Sequence, residues 1–338
     1  MYEIDFLKVG AAEKSGDAIA LRFPYQGRWV VVIIDGGFTD VGEQLIGHVL
    51  RWYQTSQVDL VISTHPDGDH INGLTPVLEQ LDVRELFIHL PRVHRSDVSS
   101  WCPEPVDDLV RVARRRGVTI TEPFTGESRF GGILTVVGPT QSYYESLLDA
   151  ARLGAIRGAA VSGGFSAAVG VALRKLASRA VALLPEETLT DFGETTERNN
   201  SSVVTLLTLD GQRVLLTGDG GIPALSQAAD YLELLPSAGL PIALFQAPHH
   251  GSRRNLGPSI LNRLLGPGGT LRGEAIVSAS DQAAKHPSPK VTNALLRRGY
   301  PVYSTEKAHL CFPSDMPARP GWSTATPLPP LDESEEDD

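Results

Sequence analysis

Cysteine is nearly absent. Cys102 and Cys311 are the only two in 338 residues, too few and too widely spaced for a disulfide framework or a thiolate zinc clip. Also missing is any run of about 18 uninterrupted apolar residues, so no transmembrane helix is expected. The N-terminal segment Met1-Tyr2-Glu3-Ile4-Asp5 carries no basic stretch followed by an apolar one, which argues against a secretory signal. Aromatic residues reach only 7% while hydrophobic residues make up 41%, an ordinary balance for a soluble globular protein. These absences point to a reducing cytoplasm and to no membrane insertion. The length suffices for one large α/β domain, with or without an insertion. Six of the last seven residues are acidic, and setting them aside takes the formal net charge from −10 to −4. The folded part is therefore only mildly acidic.

What the chain does have is metal-competent side chains at the ends of apolar segments. Val58-Asp59-Leu60-Val61-Ile62 runs into Ser63-Thr64-His65-Pro66-Asp67-Gly68-Asp69-His70, four such side chains within six residues. A short loop of this kind can hold carboxylate and imidazole donors together against a cation. By itself, a polar loop with Gly and Pro is ordinary turn chemistry. The pattern, however, recurs three times. Val214-Leu215-Leu216-Thr217-Gly218 leads to Asp219, and the run Ile242 to Pro248 leads to His249-His250-Gly251-Ser252. Ala275-Ile276-Val277-Ser278-Ala279 runs towards His286-Pro287-Ser288-Pro289.

Periodicity supplies the frame around these loops. Strands are expected over Ile4–Val9, Ala18–Phe23, Trp29–Ile34, Asp59–Ser63 and Arg84–His89, with shorter ones near Val118–Ile120 and Leu134–Val137. Helices are expected over Val41–Thr55, Asn72–Leu81 and Val106–Arg116; Leu45, Ile46, Val49, Leu50 and Tyr53 fall at helical spacing and define one buried face. Such an alternation suits two sheets packed face to face and covered by helices. Residues 1–313 read as one domain, interrupted over about 141–198 by a helical insertion. Its helices are Ser142–Leu153 and Ser166–Leu184, joined by a Gly-, Ala- and Ser-rich neck that includes Gly154 and Gly164. Residues 314–338 are Pro-rich and then acidic, the composition of a disordered tail.

Taken in order, the motifs resemble the metallo-β-lactamase superfamily, and within it the branch typified by the nuclease domain of ComEC-type DNA-uptake proteins. The superfamily's first motif is His-x-His-x-Asp-His; here it reads His65-x-Asp67-x-Asp69-His70, and the exchange at Asp67 is a mark of the ComEC-type branch. Asp17, Asp35-Gly36-Gly37, Asn199-Asn200-Ser201-Ser202 and the two histidine motifs extend the match from near residue 5 to near residue 312. The resemblance implies an αββα four-layer sandwich and two divalent metal ions. It also implies that Asp219 is the bridging carboxylate. His65, Asp67, Asp69, His70, Asp219 and one or more of His249, His250 and His286 would be the ligands. Three carboxylates shift the preference from zinc towards manganese or magnesium, while the imidazoles keep zinc open. The superfamily's third-motif histidine is missing, and Asn199 and Asn200 occupy that region; His89 and His94 are candidates to compensate.

Two metals sharing a water would present hydroxide to a phosphorus or carbonyl centre. Asp69, Asp219 and His286 are the expected catalytic residues, His286 as a proton donor to the leaving oxygen. Arg253 and Arg254 follow one metal motif, and Lys285 and Lys290 bracket another, which favours a phosphodiester backbone over a lactone or thioester. Asn199, Asn200, Ser252, Arg253, Lys285 and Ser288 are the expected substrate contacts. The leading expectation is thus a metal-dependent nuclease acting on DNA, an effector held in check by a regulatory protein partner, for instance in antiviral defence. A hydrolase of small phosphodiesters or esters, and a non-catalytic or conditionally active interaction module, are the alternatives.

Overall fold

The strand Arg28–Gly36 shows why two layers of helix are needed. Its Val30, Val32 and Ile34 face one side, Val31 and Ile33 face the other, and all five are buried, so both faces of the sheet must be covered. In the computed structural model, which describes residues 1–11, 13–101, 103–160, 187–268, 271–283 and 285–333, this strand is central to a seven-stranded sheet. Its strand order is Thr119–Thr121, Glu85–Phe87, Leu60–Ile62, Arg28–Gly36, Ala18–Tyr25, Tyr2–Phe6, Leu310–Ser314. A second seven-stranded sheet runs Ser128–Arg129, Leu134–Gly138, Val204–Leu209, Gln212–Leu216, Ile242–Gln246, Glu274–Val277, Val302–Ser304.

Val30, Val32 and Ile34 share one apolar cluster with Leu134, Val136, Leu207, Val214 and Leu216, which is the layer between the sheets. Helices Thr39–His48, Leu74–Gln80 and Glu104–Arg116 cover the first sheet. The second is covered by Ile222–Leu232, Pro258–Leu265 and Pro289–Arg297. The result is the four-layer αββα sandwich expected from the sequence. Half of each sheet is parallel: Arg28–Gly36 through Thr119–Thr121 in the first, Gln212–Leu216 through Val302–Ser304 in the second. Parallel strands bring their C-terminal ends to one edge, where loops build a site. The loops after Ile62, Leu216, Gln246 and Val277 all begin there.

Three elements differ from their expected form. The helix anticipated over Val41–Thr55 is an α-helix, Thr39–His48, continued by a π-helical turn at Val49–Tyr53 and ended by Gln54 at φ 54°. That wider turn brings the Tyr53 hydroxyl to the buried Asp5 carboxylate, 2.6 Å away. The helix anticipated over Asn72–Leu81 spans Leu74–Gln80 and is preceded by a separate short helix, Gly68–Ile71. Gly73 between them lies so close to Gly36 that a Cβ would meet its carbonyl oxygen at 1.9 Å. Helix Gln141–Ala160 is longer than anticipated and runs through Gly154; its Tyr144, Leu147 and Leu148 join Val98 and Trp101 in a separate small core. The helix expected at Ser166–Leu184, Gly164 of the neck and Cys102 lie outside the described residues. Cys311 is a free thiol.

The disorder expected from residue 314 onward does not hold for residues 315–333. Arg319 donates to both oxygens of Asp5 at 2.8 Å and stacks over Trp52 and Trp322. Further on, the Leu328 amide donates to the Val302 carbonyl at 2.7 Å, and Asn293 bonds Leu331 and Glu333. The segment thereby covers an exposed strand edge. Its composition says solvent; the buried carboxylates of Glu3 and Asp5 call for a cation. The acidic end, residues 334–338, lies outside the described residues.

Candidate metal centre

Asp35 organises the first loop. It closes the strand Arg28–Gly36 in the left-handed region, φ 55°, and accepts from the amide and the hydroxyl of Thr64 at 2.8 and 2.6 Å. Its Oδ2 lies 2.7 Å from His70 Nδ1. A carboxylate bound to Nδ1 fixes the ring and leaves Nε2 to face the site. Gly16 lets the Asp17 loop close over the same motif, since a Cβ there would stand 2.4 Å from the Asp69 carbonyl oxygen.

Around Asp219 the donors fall into two sets. Its Oδ2 lies 3.7 Å from His65 Nε2 and 3.7 Å from His249 Nε2, and His65 Nε2 is 3.8 Å from Asp67 Oδ2. Its Oδ1 lies 3.4 Å from His70 Nε2, while His250 Nε2 is 3.7 Å from Asp69 Oδ2. Asp69, His70 and His250 offer donor atoms within 4.8 Å of one another. These separations are too long for hydrogen bonds and short enough for one cation to touch neighbouring donors. His65 Nε2, His70 Nε2, His250 Nε2 and Asp219 Oδ1 are buried without a hydrogen-bond partner. Buried polar atoms left unpaired are costly, and four of them converging with oxygen and imidazole donors fit a pair of divalent cations.

The histidine pair is held under strain. His249 and His250 adopt φ of 48° and 57°, conformations that cost about 1–3 kcal/mol each and persist where function demands them. Both rings thereby turn towards the site, one to each donor set. Asn255, fully buried, fixes the first: its Nδ2 donates to the Asp219 carbonyl at 2.8 Å and its Oδ1 lies 3.1 Å from His249 Nδ1. Nδ1 is thereby held from behind, and Nε2 is left to face the site. Nothing in the sequence singles out Asn255. Replacing it with alanine is expected to weaken metal binding about 10- to 100-fold, measured by titrating Mn²⁺ into metal-free protein.

Charge follows the same division. Burial pushes His65 below its ordinary pKa, helped by His70 nearby, so its imidazole is neutral. Burial works the same way on His70, but Asp219 and Asp35 outweigh it and raise His70 well above its ordinary value. Asp219 is held well below the usual carboxylate range, because His70, His249 and His250 overcome its burial. Asp17 is raised by burial and accepts from Gln246 Nε2 at 2.9 Å behind the site. His286 lies with its ring centroid 5.8 Å from that of His249, and burial lowers it to about 4. A neutral imidazole at pH 7 suits ligation or hydrogen bonding better than the proton donation expected of it.

The donors thus gather at the strand ends of a four-layer αββα sandwich. No protein-family model matches the sequence, and no curated protein does. Similar solved structures include a diphosphatase of the PhnP family, at 13% identity over 94% of this chain and 99% of that one with a TM-score of 0.42. CmlA, a diiron β-hydroxylase from Streptomyces venezuelae, matches at 13% identity and TM-score 0.43 over 91% of this chain and 54% of its own. A metallo-β-lactamase from Hirschia baltica matches at 14% identity over 69% of this chain and 80% of that one, TM-score 0.31. This chain spans about half the length of CmlA.

His65, Asp67, Asp69, His70, Asp219, His249 and His250, expected as ligands, meet at this centre. Several expected substrate contacts are otherwise engaged. Asn200 accepts from the Gly221 amide, Ser252 accepts from the Arg254 amide, and Ser288 caps helix Pro289–Arg297; all three are buried. Buried Asn199 has Nδ2 3.1 Å from His249 Nδ1, so it braces that ring. These four are buried and engaged within the loops around the site. Arg254 and Lys285 are exposed, and Arg253 is partly so. His89 and His94 do not compensate for the missing histidine: His89 stacks on Tyr144 at 4.4 Å, and His94 bonds Glu122 and Glu145.

Proposed function

We propose that the protein is a metal-dependent phosphodiesterase of the ComEC type that cleaves DNA. Asp219 carries the reading, presenting one oxygen to each of two donor sets whose buried nitrogens lack partners. Manganese, magnesium or zinc bound there would supply Lewis-acid activation of water and neutralise charge on a phosphoryl group. The chain's own residues do the rest. His65, Asp67 and His249 form one half of the cradle; Asp69, His70 and His250 form the other. Asp35 and Asn255 hold two of the imidazoles by Nδ1 and leave Nε2 facing the site. His286 stands beside His249, where it can hydrogen-bond the reacting group. Arg254 and Lys285, exposed next to the two histidine motifs, favour a polyanion.

A second reading, hydrolysis of small phosphodiesters, is favoured by the acidic balance of the folded part, which suits a small anion better than a duplex. Purified wild type and Asp69→Ala, each supplied with Mn²⁺, Mg²⁺ or Zn²⁺, would be incubated with supercoiled plasmid, linear DNA, single-stranded RNA and cyclic dinucleotides. Metal-dependent loss of supercoiled plasmid by wild type alone is the expected result. Cleavage confined to cyclic dinucleotides would replace DNA with the small-substrate reading. Control by a protein partner belongs to the same proposal; it fails if the isolated protein cuts at full rate and co-purifies with no companion.

A further inference from the structure

The donor side chains are not equally accessible. His65, His70, Asp219 and His250 are buried, whereas Asp67, Asp69 and His249 keep 26%, 30% and 34% of their side-chain surface. Those three mark the side open to a substrate. Arg198 stands on that side, and its backbone is firmly set. Thr196 caps the short helix Glu197–Asn200, and the Arg198 carbonyl accepts from both the amide and the hydroxyl of Ser201 at 3.1 and 2.6 Å.

Its side chain is used on one edge only. Arg198 Nε lies 3.2 Å from Asp67 Oδ1, while Oδ2 of the same carboxylate faces His65 Nε2 at 3.8 Å. None of its terminal N–H groups is hydrogen-bonded to a described residue, and the side chain is 36% exposed. An arginine serving only to brace Asp67 would fork both of its nitrogens onto both carboxylate oxygens. Here the free edge of a planar donor fork, matched to the geometry of phosphoryl oxygens, stands at the mouth of the centre. The asparagines and serines expected to make substrate contacts are meanwhile buried in the loops.

We infer that Arg198 binds the non-bridging oxygens of a substrate phosphoryl group through its terminal nitrogens and so selects phosphoanions over neutral esters. This deepens the phosphodiesterase reading and rests on it for its substrate class. Inorganic phosphate is the probe, titrated calorimetrically into Mn²⁺-loaded wild type, Arg198→Gln and Arg198→Lys; Mn²⁺ is titrated separately into the metal-free proteins. Arg198→Gln is expected to weaken phosphate binding about 10- to 100-fold. Arg198→Lys recovers part of the loss, since it keeps the charge without the fork. The Mn²⁺ affinity of both variants should stay within about threefold of wild type, as befits a partly exposed ion pair. Unchanged phosphate affinity in Arg198→Gln overturns the inference. So does a parallel loss of Mn²⁺ affinity, which would reduce Arg198 to a prop for Asp67. Arg198-dependent phosphate binding by a wild type that cleaves no phosphodiester would uphold the phosphate contact and sink the proposed reaction.

Discussion

Asp219→Ala is expected to retain neither divalent ion after dialysis and to lose on the order of a thousandfold or more in phosphodiester hydrolysis. Asp67→Ala should lose only one ion. The contrast follows from geometry. Both oxygens of Asp219 are engaged with imidazole nitrogens, at 3.4 Å on one side and 3.7 Å on the other, so its removal opens both donor sets. Asp67 contributes to the His65 set alone, from the exposed side of the site. Asp219 also holds its place independently of any ion: its amide donates to Ser202 Oγ at 3.1 Å and its carbonyl accepts from Asn255 at 2.8 Å. Asp219→Asn keeps those backbone contacts and the side-chain volume while removing the charge. It therefore separates loss of metal from loss of fold. Metal content by plasma emission, read beside the rate on bis(p-nitrophenyl) phosphate, decides the matter. Two ions retained by Asp219→Asn would refute a shared carboxylate.

The cluster of donors was legible because its chemistry is local. Six consecutive residues carry four donors, and each later motif follows an apolar run that can only be a buried strand. The sandwich was legible for the same reason, since Val30 to Ile34 are apolar on both faces. What escaped the sequence is whatever depends on a distant partner. Asn255 is one asparagine in a polar loop until His249 and the Asp219 carbonyl are placed against it. Arg198 gains its meaning only from Asp67. For Asn199 and Asn200, residue type is visible in the sequence and burial is not. His89 follows a strand as a ligand would, yet Tyr144 and Phe124, from later in the chain, close over it and leave it buried among aromatic rings. The contacts of the tail follow the same rule. Composition reports preference for solvent, and it carries no record of the carboxylate at position 5 that draws Arg319 inward across the whole length of the domain.

Arg319→Met should consequently lower stability by about 3 kcal/mol, the cost of leaving a buried carboxylate short of its cation. For a domain of this size that corresponds to a fall in melting temperature of roughly 4 °C. Asp5 is fully buried and, once the guanidinium is gone, keeps no cationic partner among the described residues but His48, whose Nε2 is 3.0 Å away; the Tyr53 hydroxyl still donates at 2.6 Å. The pH dependence identifies the source. Burial alone would raise Asp5, but hydrogen bonds from His48 and Arg319 outweigh it and bring the carboxyl from 3.8 down to about 2. A carboxyl depressed on folding adds stability above its unfolded value and surrenders it as the pH falls through the folded one. The gap between wild type and Arg319→Met should therefore be widest above about pH 5 and should narrow towards pH 2. Urea unfolding across that range tests it, and a gap independent of pH would assign the loss to the packing of Arg319 between Trp52 and Trp322 instead. Pairing the change with Asp5→Asn sharpens the result: with the buried charge removed as well, the double variant should be less destabilised than the sum of its two parts.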